Sequence, residues 1–144
     1  RSLNYLYNRL QEYNGEYIVR ISCLELYQEH LYDLFVDERD RVSLPIREHP
    51  KTGFFVEGCQ TIACENLSQA CKLIQKALKY RQIGSHDMNH RSSRSHFITD
   101  IFVELPGQSL QNTNNINGNT FEFDDNREYT IMGKVSFVDL AGSE

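Results

Sequence analysis

Two short polar segments, about four dozen residues apart, constrain this chain more than anything else in it. The first, Met88-Asn89-His90-Arg91-Ser92-Ser93-Arg94-Ser95-His96, gathers three hydroxyls, two guanidiniums and an amide into one short turn. The second, Val138-Asp139-Leu140-Ala141-Gly142-Ser143-Glu144, is an apolar strand that ends on a carboxylate and then a glycine. A loop of hydroxyls and a strand-end Asp–Gly are the two halves of a switch that senses a metal-bound terminal phosphate.

The elements around these segments follow from local pattern. Leu3, Leu6, Leu10 and Tyr13 fall at helical spacing and Asn14-Gly15 supplies a stop, which predicts an amphipathic helix over Ser2–Tyr13. Tyr17–Tyr27, rich in β-branched and aromatic residues, predicts a long buried strand. His30–Phe35 predicts a short helical turn, and Asp37–Arg41 a charged loop. Leu44–Arg47 and Phe54–Ile62 predict two shorter strands joined by the turn His49-Pro50-Lys51-Thr52-Gly53. Asn66 with Gln69 resembles a capping box, and the apolar stripe Leu67, Ala70, Cys71, Ile74, Ala77 and Leu78 predicts a helix running to about Tyr80 or a little past. Alternation over Phe97–Leu105 predicts a strand leaving the Ser/Arg segment, and Glu128–Val138 a strand returning. Residues 106–127 between them are polar and Asn-rich with no apolar period, which predicts a mobile hairpin tip with no assigned chemistry. This order implies an α/β layered domain with a mixed sheet.

At 144 residues the chain has the length for one hydrophobic core. Its formal charge of −5 argues against a general nucleic-acid binder. Between Asn66 and Thr99, however, Lys72, Lys76, Lys79, Arg81, Arg91 and Arg94 face the single acid Asp87, an excess that suits a phosphate or an acidic protein surface. A solvated helix face would account for the lysines but not for the two loop arginines. Cys23, Cys59, Cys64 and Cys71 form no C-x-x-C pair and sit inside apolar patterns. They are expected to be reduced, buried small hydrophobes of a cytosolic protein. No stretch approaches the length of a membrane span, and the start shows no signal-peptide pattern.

A terminal-phosphate sensor needs short side chains that reach an oxygen or the metal shell. Ser92 and Ser93 offer hydroxyls without bulk, Asn89 a directional amide, and Arg94 a charge that a carboxylate can hold. The second segment needs a carboxylate at the end of a buried strand, aimed at the metal through water. It also needs a residue without a side chain, so that a backbone N–H can approach the phosphate. Asp139 and Gly142 fit those roles, and Glu144 is placed to pair with Arg94. Taken singly, the serines could cap a turn, Asp139 could be a turn former, and Arg94 and Glu144 could be surface charges. A zinc site built on His86, His90 and His96 matches no common ligand spacing.

In order and spacing these residues resemble the kinesin motor domain, whose switch I reads N-x-x-S-S-R-S-H and switch II D-L-A-G-S-E. Both stand here without gaps, as Asn89–His96 within switch I (residues 88–96) and Asp139–Glu144 as switch II (residues 139–144). Ile21–Tyr27 followed by Asp33-Leu34, then Ile46-Arg47-Glu48, Phe55-Val56-Glu57-Gly58 and Arg81-Gln82-Ile83-Gly84, also fall in the family's order. The resemblance implies a P-loop NTPase-like kinesin motor fold of class α/β, a mixed central sheet with helices on both faces, present here in part over residues 1–144. It implies ATP and Mg²⁺ as nucleotide and cofactor, microtubules (tubulin) as partner, and a cytoplasmic, cytoskeletal location.

Residue by residue, the resemblance implies that Ser92 and Ser93 bind the Mg²⁺ shell and the γ-phosphate while Asn89 lines the nucleotide pocket. Asp139 would hold the metal through water, and Gly142 would sense the γ-phosphate through its N–H. Arg94 and Glu144 would form a latch that helps position the attacking water. Arg81 at the base of the loop is a further candidate, and the turn near Arg47 and Lys51 would face the track. One departure is local: His90 and Arg91 stand where many family members have an acidic residue and then a histidine. Another is larger: no G-x-x-x-x-G-K-[ST] loop occurs in the 144 residues. Both ends are expected to cut through a domain. The parent is expected to be an ATPase and microtubule motor, and the 144 residues alone to be inactive. The competing reading is a non-catalytic kinesin-like interaction module. The strand ending at Asp139 is expected to lack a neighbour on one side, leaving an apolar edge.

Overall fold

The computed structural model describes residues 1–50, 53–83, 94–108 and 129–142. Its organising strand is β1 (Ile18–Tyr27), in which Val19, Ile21 and Cys23 are buried on one face and Ser22 and Leu24 on the other. Burial on both faces is what the β-branched, nearly uninterrupted composition of this stretch requires. Along one side β1 pairs with β2 (His30–Asp33) and β5 (Ile62–Cys64), and along the other with β6 (His96–Gln108). β6 in turn pairs with β7 (Tyr129–Asp139), giving the order β2-β1-β6-β7. Every pairing among the described residues is antiparallel.

Two helices cover one face of this sheet. Tyr7 and Leu10 of α1 (Ser2–Gln11) and Ala70 and Ala77 of α2 (Leu67–Ile83) form one core with Val19, Ile21, Cys23, Phe97 and Ile101. The Tyr7 hydroxyl donates to the Cys64 carbonyl at 3.3 Å, tying α1 to β5. At the start of α2 the Asn66 Oδ1 accepts the Gln69 N–H at 2.9 Å, and the Gln69 Oε1 accepts the Glu65 N–H at 2.9 Å. This is the reciprocal cap expected from the sequence, its return bond displaced by one residue. The sheet-and-helix α/β architecture is thus the expected one, although among the described residues the sheet is antiparallel rather than mixed and both helices lie on one face. No helix among the described residues is long and apolar enough to cross a membrane.

Three local expectations change. His30–Phe35 is not a helical turn: its first four residues are strand β2. Gln28 and Glu29 both take positive φ, 46° and 65°, and so reverse the chain in two residues onto β1. Asp33 closes the strand, its Oδ1 accepting the Phe35 N–H at 2.8 Å and its Oδ2 the Gln60 N–H at 2.7 Å. The stretch expected as one strand over Phe54–Ile62 is divided near Gly58 (φ +80°). Its first part, β4 (Gly53–Val56), forms a separate hairpin with β3 (Ile46–His49), and its last residue begins β5. Finally, all four thiols are free and Cys23 and Cys64 are buried, but Cys71 faces outward from α2 and Cys59 is only half-buried.

Among the described residues β7 pairs only with β6, and its Ile131, Met132, Val135, Phe137 and Val138 remain exposed. Among the described residues, that leaves an apolar, unpaired side of β7 next to Asp139. On the helix-bearing face, a cleft of about 210 Å³ between Leu3, Leu6, Ile101, Val135 and Phe137 separates α1 from this edge strand. The expected hairpin tip lies mostly outside the described residues.

Candidate functional site

The two polar segments meet at one end of the sheet because β6 begins where β7 ends. Phe97 stands directly opposite Asp139 in the antiparallel ladder. Arg94, Ser95 and His96 therefore lie beside Asp139, Leu140, Ala141 and Gly142, although the two groups are more than forty residues apart in sequence.

A single guanidinium joins them from the helix side. Arg81, in the last turn of α2, donates through Nε to the Ser95 Oγ (3.2 Å) and through Nη2 to the Ser95 carbonyl (2.7 Å). Its Nη1 donates to the Asp139 Oδ2 at 3.2 Å, and its guanidinium carbon lies 5.7 Å from the centre of the Phe97 ring. The Arg81 side chain is 10% exposed and that of Asp139 70%. The two ends of this bridge therefore differ in kind. The bonds to the fully buried Ser95 are made away from water, whereas the ion pair with Asp139 is largely solvated and contributes little stability.

A second bond comes from His96, whose Nδ1 accepts the Ala141 N–H at 2.9 Å. Strand alternation puts the two ties on opposite faces. Phe97 and Asp139 share the face covered by α2, and the preceding residue, His96, belongs to the other.

Of the residues singled out in the sequence, Asp139 and Gly142 are brought to this corner together with Arg94, which is exposed. Asn89, Ser92, Ser93, Glu144 and Lys51 lie outside the described residues, and with them the partner expected for Arg94. Arg47 is remote, on the β3–β4 hairpin, where its Nε donates to the Glu57 Oε2 at 3.0 Å beside the exposed Ile46, Phe54 and Phe55. Arg81 carries more of the corner than its place at the base of the loop suggested. Ser95 and His96 had no role assigned. Their signal in the sequence is their place as the last two letters of the N-x-x-S-S-R-S-H motif, between Arg94 and the strand.

The kinesin motor domain family matches residues 1–144. The chain belongs to that family. Similar kinesin-like proteins include KIF3C of Pongo abelii, 33% identical over 131 residues, which cover 91% of this chain and 15% of that protein. KIF12 of Mus musculus is 33% identical over 144 residues, 100% of this chain and 21% of that protein. KIF11-A of Xenopus laevis is 28% identical over 147 residues, covering 100% and 12%. This chain therefore spans about a fifth or less of the length of these relatives. A solved structure of a fast kinesin superposes with a TM-score of 0.75 at 23% identity over 99% of this chain and 35% of that one, so the kinesin fold is shared.

The donors at the corner fit the Mg²⁺ implied by the family. Asp139 presents a hard oxygen ligand that is mostly open to solvent. No group of three His, Cys, Asp or Glu residues among the described residues could hold an ion by itself. An ion here would draw its remaining ligands from phosphate and water, as Mg²⁺ does.

Proposed function

We propose that these 144 residues are the switch-bearing part of the motor domain of an ATP-hydrolysing microtubule motor. The observation that carries this reading is the corner itself. The end of the hydroxyl-rich segment and the carboxylate of the second segment lie side by side, Phe97 opposite Asp139, at one end of the sheet. A terminal phosphate lying between the segments would contact both, and its loss would release both.

In this reading Ser92 and Ser93 contact the γ-phosphate and the metal shell, Asn89 lines the nucleotide pocket, and Asp139 holds the metal through water. Gly142 donates its N–H to the γ-phosphate. Arg94 and Glu144 pair across the site and help position the attacking water for in-line displacement. Bound Mg²⁺ would neutralise charge on the phosphates. The β3–β4 hairpin, with Arg47 and the exposed Phe54 and Phe55, is the proposed tubulin-facing surface, and Lys51, outside the described residues, is the other candidate named for it. The location follows as cytoplasmic, on microtubules. The 144 residues alone, which contain no G-x-x-x-x-G-K-[ST] loop, are expected to show no ATPase and no tight ATP binding by calorimetry.

The test is Arg94→Ala and Glu144→Ala in the full-length protein. Each should reduce microtubule-stimulated ATPase by at least about tenfold, the cost of about 1.4 kcal/mol of transition-state stabilisation. Undiminished activity in either variant would remove the latch from the scheme. A full-length protein that binds microtubules without hydrolysing ATP would favour the interaction module.

A further inference from the structure

We propose that His96 is the positioning residue of the switch II turn: by accepting the Ala141 N–H it fixes the Leu140–Ala141 peptide, the one immediately before the peptide whose Gly142 N–H faces the terminal phosphate. The proposal rests on the reading of Gly142 as the γ-phosphate sensor.

Three observations carry it. Ladder pairing between β6 and β7 stops at Phe97–Asp139, so Leu140, Ala141 and Gly142 are outside the sheet. Packing holds little of them either, since Leu140 is 70% exposed and Gly142 is exposed, with Ala141 alone half-buried. The bond from the Ala141 N–H to the His96 Nδ1, at 2.9 Å, is therefore the restraint that the described residues place on this turn beyond the strand. Arg81 acts one step earlier and from the other face: it holds Asp139, which leaves the following peptides free to rotate about the strand end. A γ-phosphate sensor made of a backbone amide needs that rotation fixed, because a hydrogen bond weakens steeply as its angle departs from linear. His96 has a firm base for the task, since its backbone is the first residue of β6 and pairs with Leu26 of β1.

The chemistry of the bond makes the proposal testable by side-chain reach. The acceptor must be Nδ1 with its lone pair free and the ring proton on Nε2. An asparagine carbonyl oxygen sits at nearly the same distance from the backbone as Nδ1. A glutamine carbonyl oxygen lies one methylene further out, and phenylalanine has no acceptor. In the full-length protein, His96→Asn is expected to keep ATP turnover within about threefold of wild type. His96→Gln and His96→Phe should lower kcat, and the preference for ATP over ADP, by about tenfold while leaving ADP affinity within about twofold. Hydrogen exchange of the Ala141 amide should be slow in the wild type and His96→Asn and faster in the other two.

The proposal is overturned if His96→Gln keeps the ATP preference and a slow Ala141 amide, or if His96→Asn loses as much as His96→Gln. The Asn/Gln comparison stands even where His96→Phe does not fold. If the wild type itself has no preference for ATP over ADP, the sensor reading of Gly142 has failed. The exchange pattern still decides whether His96 holds the turn.

Discussion

Replacing Arg81 by alanine should destabilise the fold far more than removing Asp139, the acid with which it pairs. Arg81 makes two bonds to Ser95, one to the side chain and one to the carbonyl, and its own side chain is 10% exposed. Hydrogen bonds to a charged group contribute about 1.5–3 kcal/mol each when sheltered, though two bonds made by one fork are not additive. The contact with the Phe97 ring adds about 0.5–1 kcal/mol. The ion pair with Asp139 contributes at most about 1 kcal/mol, because that carboxylate is 70% exposed.

Arg81→Ala should therefore cost about 3–4 kcal/mol, roughly the value of one strong buried bond plus part of the second and the ring contact. Asp139→Ala should cost about 1 kcal/mol or less. Arg81→Lys should recover only the weaker part, since an ammonium restores the charge near Asp139 but not the planar fork on Ser95. Urea denaturation followed by circular dichroism gives the ranking directly, provided the slope of the transition is unchanged. Equal losses in Arg81→Ala and Asp139→Ala, or recovery of full stability in Arg81→Lys, would refute the division into a structural bond to Ser95 and a solvated pair with Asp139.

Burial pushes the Cys23 thiol up from 9.0 to about 12, and burial followed by the nearby Asp33 carboxylate pushes Cys59 up to about 11. The folded state then keeps these protons where the unfolded chain gives them up, so their contribution to stability is intact below pH 9 and declines as pH rises toward 11–12. Melting temperatures across that range should fall less steeply for Cys23→Ala than for the wild type, and a parallel decline would exclude Cys23 as a source. The open edge of β7 makes a separate prediction for the 144 residues on their own: lysine at Met132 or Val138, both exposed, should lower self-association in sedimentation velocity, and unchanged association would point to another surface.

The parts of the fold legible in the sequence are those whose signals are local. The cap at Asn66–Gln69 and the stripe behind it marked α2, and the β-branched run marked β1. β2 was not legible because its hairpin turn is made by Gln28 and Glu29, neither of which advertises positive φ as Asn or Gly would. The spacing of Leu31, Leu34 and Phe35 then imitates a helical turn. Cys71 belongs to the apolar stripe by spacing, yet α2 turns its buried face along Ala70 and Ala77 instead. At the site, Asp139 could be read as a strand-end carboxylate. The ties from Arg81 to Asp139 and from His96 to Ala141 could not, because the partners lie 58 and 45 residues away and are brought into reach by the register of β6 on β7.

The same register accounts for how one carboxylate can be both fixed and available. Asp139 is the last residue of β7 and its backbone is held opposite Phe97, so its position is set before any side-chain contact is made. Arg81 then takes Oδ2 from the side of α2, leaving the side chain mostly open to solvent. Arg81 also sits in the last turn of α2, where the helix carbonyl ends gather partial negative charge, and it is bonded to the Ser95 carbonyl. Among the described residues its positive charge is thus shared between Ser95 and Asp139 rather than spent on Asp139 alone. A carboxylate anchored through one oxygen, with its counter-charge divided elsewhere, has the negative character and the open surface that the proposed hydrated cation would need. A fully paired carboxylate at the same strand end would have neither.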